Sequence, residues 1–143
     1  MMRLLIILLL SLPSLSAACS CFPREVRSTQ AITKEFARVQ LVAEVEVVDV
    51  LVGVKGERTT ILKIFAIHKG VLSLGDRISL QESSESRSSC NLSMPFGARI
   101  LYFGEQLSHG GWSIPHVCSP GGDLSWYSPS QRIVIKALSG NDL

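Results

Sequence analysis

Cys19-Ser20-Cys21 is the stretch of this sequence best equipped for chemistry. It follows Ser16-Ala17-Ala18, the small residues of a signal-peptidase site. Cleavage between Ala18 and Cys19 gives a mature chain that begins with a cysteine carrying a free α-amine. Such an amine has an ordinary pKa of about 7.7–8 and keeps a neutral fraction at physiological pH. The neutral amine and the carbonyl oxygen of the same residue form a five-membered chelate for Zn²⁺. A catalytic zinc keeps one coordination position open for water. A rigid terminus inserted there would displace that water and abolish the nucleophile. Rigidity matters because ordering a loose end on binding costs affinity. Ser20, small and next in the chain, would face the neighbouring specificity pocket.

The remaining side chains point to no reaction. His68, His109 and His116 lack metal-site spacing, and none lies in an H-E-x-x-H frame. His68 is read as a strand-end residue, the other two as exposed. No serine lies in a nucleophile elbow. Trp112, Trp126 and Tyr127 are read as core or rim. Asn91-Leu92-Ser93 is a glycosylation sequon, meaningful only in a eukaryotic secretory pathway. Enzymatic activity is not expected. A formal charge of +2 is too small to argue for nucleic acid or an anionic membrane.

Four cysteines in an exported chain read as two disulfides, so no cysteine nucleophile is expected. Joining Cys19 to Cys21 would close a strained three-residue ring. Both must then reach forward to Cys90 and Cys118, and either assignment of the two partners satisfies that. Side chains two apart on an extended segment share a face, so both can be tied to one surface. Each bridge closes a loop on the order of 70 to 100 residues, worth about 4–5 kcal/mol. A chain end ordinarily frays; two staples within three residues would prevent it.

Ahead of these cysteines, Met1-Met2-Arg3 forms a positive n-region and Leu4 to Leu10 an apolar run that Pro13 breaks. The run is far short of the roughly 20 residues that span a bilayer. Residues 1–18 are therefore read as a cleaved leader and 19–143 as one domain, exported or, in a bacterial host, periplasmic or envelope-associated. A rival reading is lipidation: Ala17-Ala18-Cys19 partly resembles a bacterial lipoprotein site in which the cysteine is acylated. Such sites carry Leu three residues before the cysteine, where this chain has Ser16, with Leu15 one residue too early.

The elements that must hold Cys19 follow from periodicity. Pro23 fixes the backbone after the staples. Ser28 to Ala37 reads as a helix capped by Ser28, with Ile32, Phe36 and Val39 on one stripe. Arg24 and Arg27 are read as solvated. From Val39 the period becomes two: Val39, Leu41, Ala43, Val45 and Val47 share a face, with Gln40, Glu44 and Glu46 opposite. Past Val47 the phase flips to Val48, Val50, Val52 and Val54, which predicts a bulge there. Lys55-Gly56-Glu57 reads as a hairpin turn. The return strand, Thr59 to His68, is apolar on both faces and reads as doubly covered. Further strands are predicted at Arg77 to Gln81, Ala98 to Phe103 and Trp112 to Cys118. A last helix is capped by Ser128, starts at Pro129 and carries Ile133, Val134 and Ala137 inward. The expectation is an all-β domain with short flanking helices, a five-stranded Greek-key barrel of OB type.

These residues resemble the inhibitory N-terminal domain of the tissue inhibitors of metalloproteinases, in the netrin-like OB-fold superfamily. The likeness covers nearly all of the mature chain. Cys19-Ser20-Cys21-Phe22-Pro23 resembles the family's Cys-Ser/Thr-Cys-x-Pro start. Ile67-His68-Lys69-Gly70 resembles its strand-end Phe-Lys-Gly. Ser89-Cys90-Asn91-Leu92 with Gly97 to Phe103 resembles its Val-Cys-Gly and the strand beyond, and Trp112 to Cys118 its strand ending in Thr-x-Cys. The resemblance implies the pairing Cys19–Cys90 and Cys21–Cys118. It also implies an inhibitory ridge made of Cys19, Ser20, Cys21, Phe22 and Pro23 together with Arg87, Ser88, Ser89 and Cys90. The implied partner is a zinc metalloproteinase, whose zinc Cys19 would ligate only in the complex. The inhibitor itself would be a monomer, with no cofactor, no nucleic acid and no membrane span. The family's third N-domain disulfide and its cysteine-rich C-terminal domain have no counterpart here, and the first hairpin is short. Netrin-like domains that share the fold without inhibiting keep open a second reading, a binding module that uses an OB face or the Trp126-Tyr127 region.

Overall fold

The computed structural model describes residues 19–21 and 23–140; residues 1–18, which the sequence analysis reads as a leader, Phe22 and residues 141–143 lie outside the described residues. A one-turn helix α1 (Pro23–Val26) leads into α2 (Thr29–Arg38). Four strands follow: β1 (Leu41–Val52), β2 (Arg58–Lys69), β3 (Arg77–Glu82) and β4 (Arg99–Gly104). A two-residue β5 (Gly122–Asp123), a 3₁₀ turn (Leu124–Trp126) and α3 (Pro129–Leu138) complete the chain. The strands form one antiparallel sheet in the order β3-β2-β1-β4-β5. The protein is thus mostly β, with two helices against one face of the sheet.

β1 is long because both of its sides are paired and both of its faces are covered. Leu41, Ala43, Val45 and Val47 enter one core with Leu62, Ile64, Ile78, Leu80, Ile100 and Tyr102. Val42, on the other face, joins Leu101 and Phe103 beneath Ile32 and Phe36 of α2 and Ile135 of α3. The sequence pattern gives that second face to polar residues because only Val42 breaks the alternation on β1.

The predicted bulge is present. Val47 pairs with Leu62 and Asp49 with Ile61, which leaves Val48 as the extra residue. The phase flip follows from it, and Val50 packs against the first core. Beyond Val50 the expectation is corrected: Val52 is 71% exposed and Val54 is fully exposed, because the hairpin tip extends past the core. The turn itself falls at Gly56, whose φ of 78° suits glycine.

β2 carries two further irregularities, with Phe65 and His68 left out of the pairing to β1. It is not doubly covered. Leu62 and Ile64 are buried, Ile61 is half-buried and Phe65 is exposed, with Arg99 stacked 5.1 Å from its ring. The apolar residues on its outer face lie beyond the reach of the helices.

The predicted fifth strand is also corrected. Trp112 to His116 pairs only through single bridges, Gln106 to Trp112 and Asn91 to His116, and Val117-Cys118 already turn away. Pro115 sits in its middle and has no N–H to give to a ladder. Gly122–Asp123 takes the place beside β4 instead. A side chain on Gly122 would collide with the Trp126 ring.

α2 and its Ser28 cap follow the expectation: Ser28 Oγ accepts from Ala31 N at 3.2 Å, and Ile32, Phe36 and Val39 are buried. α3 has the expected Ser128 cap, with a reciprocal bond from Ser128 N to Gln131 Oε1 at 2.7 Å. Its inner residue is Ile135, however, while Ile133 is 66% exposed and Ala137 also faces solvent. The stripe runs Gln131, Ile135, Leu138, and a polar residue at its first position hides the phase. Ile135→Ala is expected to cost about 2–5 kcal/mol, as truncations of buried aliphatic side chains do. Ile133→Ala should stay within about 0.5 kcal/mol, as exposed changes do. Urea unfolding of the two variants measures the difference.

Candidate functional site

The N-terminal segment is held at two points. Cys19 is bonded to Cys90 and Cys21 to Cys118, each with Cα atoms 5.5 Å apart. This is the pairing that the family resemblance implies. The two receiving cysteines lie on segments that are themselves joined: Leu92 N donates to the Pro115 carbonyl and Val117 N to the Cys90 carbonyl, both at 2.8 Å. The Asn91–His116 bridge lies between those bonds. Leu92, Met94, Ile114 and Val117 turn from this clip into the first core. Residues 19–21 are therefore bolted to a backbone clip, and the clip is bolted to the sheet.

Geometry at the exposed side follows from this. Ser20 projects to solvent between the half-buried Cys19 and Cys21. Ser88 and Ser89 are exposed beside it, and Ser89 Oγ lies 3.9 Å from Cys19 Sγ. Cys90 N donates to Ser88 Oγ at 3.1 Å and Asn91 N to the Ser88 carbonyl at 3.0 Å, so the serines belong to a fixed turn. The preceding loop is also tied down. Ser83 and Ser86 exchange backbone-to-hydroxyl bonds of 2.9 and 3.0 Å, and the Arg87 guanidinium donates to the Gly56 carbonyl in the first hairpin. The sequence shows only a polar, serine-rich run here.

Of the residues assigned to the ridge, Cys19, Ser20, Cys21, Ser88, Ser89 and Cys90 come together at this corner. Arg87 points away, to the hairpin. Pro23 opens α1, and Phe22 lies outside the described residues. The chain leaving the staples is held from behind as well. Gln131 Nε2 donates to the Arg27 carbonyl, and the Arg27 guanidinium stacks 4.5 Å above the Trp126 ring. Arg27 is thus a packed residue, where the sequence suggests a solvated one.

His109 and His116 are exposed, as expected. His68 is not a simple strand-end residue. Its side chain is only 9% exposed, and its Nε2 donates to Glu44 Oε1 at 3.1 Å. That bond holds the Glu44 carboxyl below the usual glutamate range. The pair lies in a cavity of about 280 Å³ between α3 and the sheet. Leu62, Ile64 and Ile67 reach one core at spacings of two and then three, a slip that β2, apolar on both faces, does not mark in the sequence. Trp126 is about half exposed and Tyr127 is buried, with its hydroxyl donating to the Pro120 carbonyl. Burial pushes the Tyr127 hydroxyl well above the usual tyrosine range. Among the described residues, no three His, Cys, Asp or Glu side chains converge as a metal site.

In comparisons with known proteins, no family model and no curated protein matches the chain.

The two disulfides are not independent. With one bridge in place, the other closes a circuit of only roughly 30 residues, through residues 19–21 and 90–118. Replacing either pair by serine is expected to cost about 3–4 kcal/mol, and replacing both about 8 kcal/mol. Denaturant titration of the three variants checks the ratio.

Proposed function

We propose that the protein is an exported inhibitor of zinc metalloproteinases, a compact relative of the tissue inhibitors of metalloproteinases with a netrin-like OB barrel. The observation that carries this reading is the double staple. Both disulfides act on the first three residues of the processed chain, which is more than stability of a small domain requires. They leave Ser20 exposed beside an ordered turn at Ser88 and Ser89. On this reading residues 1–18 are removed as a leader. The Cys19 amine and carbonyl then take the open position on the target's zinc, displacing its water. Ser20 enters the adjoining pocket, and Ser88 and Ser89 supply the second rim of the ridge.

The energetics favour such a device. A terminus already fixed in its bound geometry gives up little freedom on association. Acylation would consume the Cys19 sulfur, and the Cys19–Cys90 bridge supports the inhibitor over a lipid anchor for that reason. The binding-module reading gains less support, because Trp126 is stacked under Arg27 and Tyr127 is buried.

The test is a protease panel with three forms of the disulfide-bonded protein: one beginning at Cys19, one with a single alanine added before it, and one acetylated on the Cys19 amine. The first form is expected to inhibit a metalloproteinase stoichiometrically. The other two should lose at least about 100-fold in affinity, a loss of about 2.7 kcal/mol, with unchanged circular dichroism. Equal inhibition by the extended form would exclude zinc chelation.

A further inference from the structure

The cavity under α3 lies on the helix-covered face of the sheet, opposite the face that carries the stapled terminus. We infer that it is a binding site for a small organic monocarboxylate with a short apolar body.

Its walls divide by chemistry. Leu101 of β4 and Ile135 of α3 form an apolar floor, closed at one end by the Tyr127 ring. At the mouth stand Arg132 and Lys136, four residues apart and so on one side of α3. At the inner end is the Glu44–His68 pair, with the imidazole nine-tenths buried. Packing alone does not call for that pair: a polar pair drawn out of water is often no more stabilising than apolar residues of the same volume. The bulge that leaves His68 out of the β1 pairing turns the ring into this cavity, as bulges beside binding sites do.

Charge selects the ligand. Among the described residues neither Arg132 nor Lys136 has a carboxylate within 4.0 Å. One Arg132 nitrogen donates to the Leu124 carbonyl at 2.7 Å, which leaves its other N–H groups for a ligand. Arg132 and Lys136 stand against the single carboxylate of Glu44, an excess of positive charge that favours an anionic ligand. A planar carboxylate suits the guanidinium fork. The apolar floor requires a hydrocarbon portion, which inorganic anions lack. A volume of about 280 Å³ lies just below the roughly 300–1,000 Å³ of pockets for drug-sized ligands, which points to a small organic acid.

Benzoate has that size and is the probe. The disulfide-bonded protein is titrated with benzoate, with its neutral analogue benzyl alcohol, and with inorganic phosphate, while amide NMR shifts are followed. Benzoate is expected to produce saturable shifts centred on residues 66–68 and 132–136, with benzyl alcohol at least about tenfold weaker. Arg132→Gln/Lys136→Gln changes two exposed side chains and should weaken benzoate at least about tenfold, with the spectrum elsewhere unchanged. No saturable shift, or an unchanged affinity in the double variant, overturns the site. Phosphate binding as tightly as benzoate overturns the assignment of a carboxylate. None of these outcomes depends on whether the N-terminus inhibits a protease.

Discussion

The structure depends on a pair of short backbone hydrogen bonds that join residues 90–92 to 115–117. Neither segment belongs to a named strand, yet the first begins with Cys90 and the second leads directly into Cys118, the two cysteines that hold residues 19–21. Without the clip, two disulfides would tie a three-residue end to two separate loops. With it, they tie the end to one body. The clip in turn rests on Leu92, Met94, Ile114 and Val117, which occupy the core above β1 and β2. Rigidity therefore passes from the sheet to the clip and from the clip to Cys19, with no flexible step between.

The sheet can support this because two of its inner strands, β1 and β4, are enclosed on both faces. β1 and β4 bury alternate side chains in two cores, one closed by the clip segments and one by α2 and α3. The helical side also controls where the chain goes after the staples: the Gln131 bond to the Arg27 carbonyl and the Arg27–Trp126 stack hold the turn between α1 and α2. Between α3 and the sheet the Glu44–His68 pair lines a cavity. One sheet thus holds residues 19–21 from one face and a charged cavity on the other.

How much of this was legible in the sequence depended on whether a feature was local. The Ser28 and Ser128 caps, the Gly56 turn and the Val48 bulge each announce themselves within a few residues, and each is where periodicity puts it. Trp112 to Cys118 read as a strand because its composition is that of one, and the pattern gave too little weight to Pro115. The phase of α3 was misread because Gln131 stands at a core-facing position, where its amide is used for capping and for Arg27. The bulges of β2 were hidden by apolar residues on both faces, so a slipped register left no polar marker. The clip itself has no local signal. Its bonds join residues more than twenty positions apart, and only the cysteine count hinted that the two segments must meet.

The account's central claim is that the processed chain begins at Cys19, with its amine free and its end fixed by two specific disulfides. Intact-mass, N-terminal and disulfide-mapping analysis of the protein exported by its native host tests this most directly. The account predicts one species that starts at an unmodified Cys19, with peptides linked as Cys19–Cys90 and Cys21–Cys118. Residues retained ahead of Cys19, an acyl group on it, or exchanged partners for the two N-terminal cysteines would contradict it.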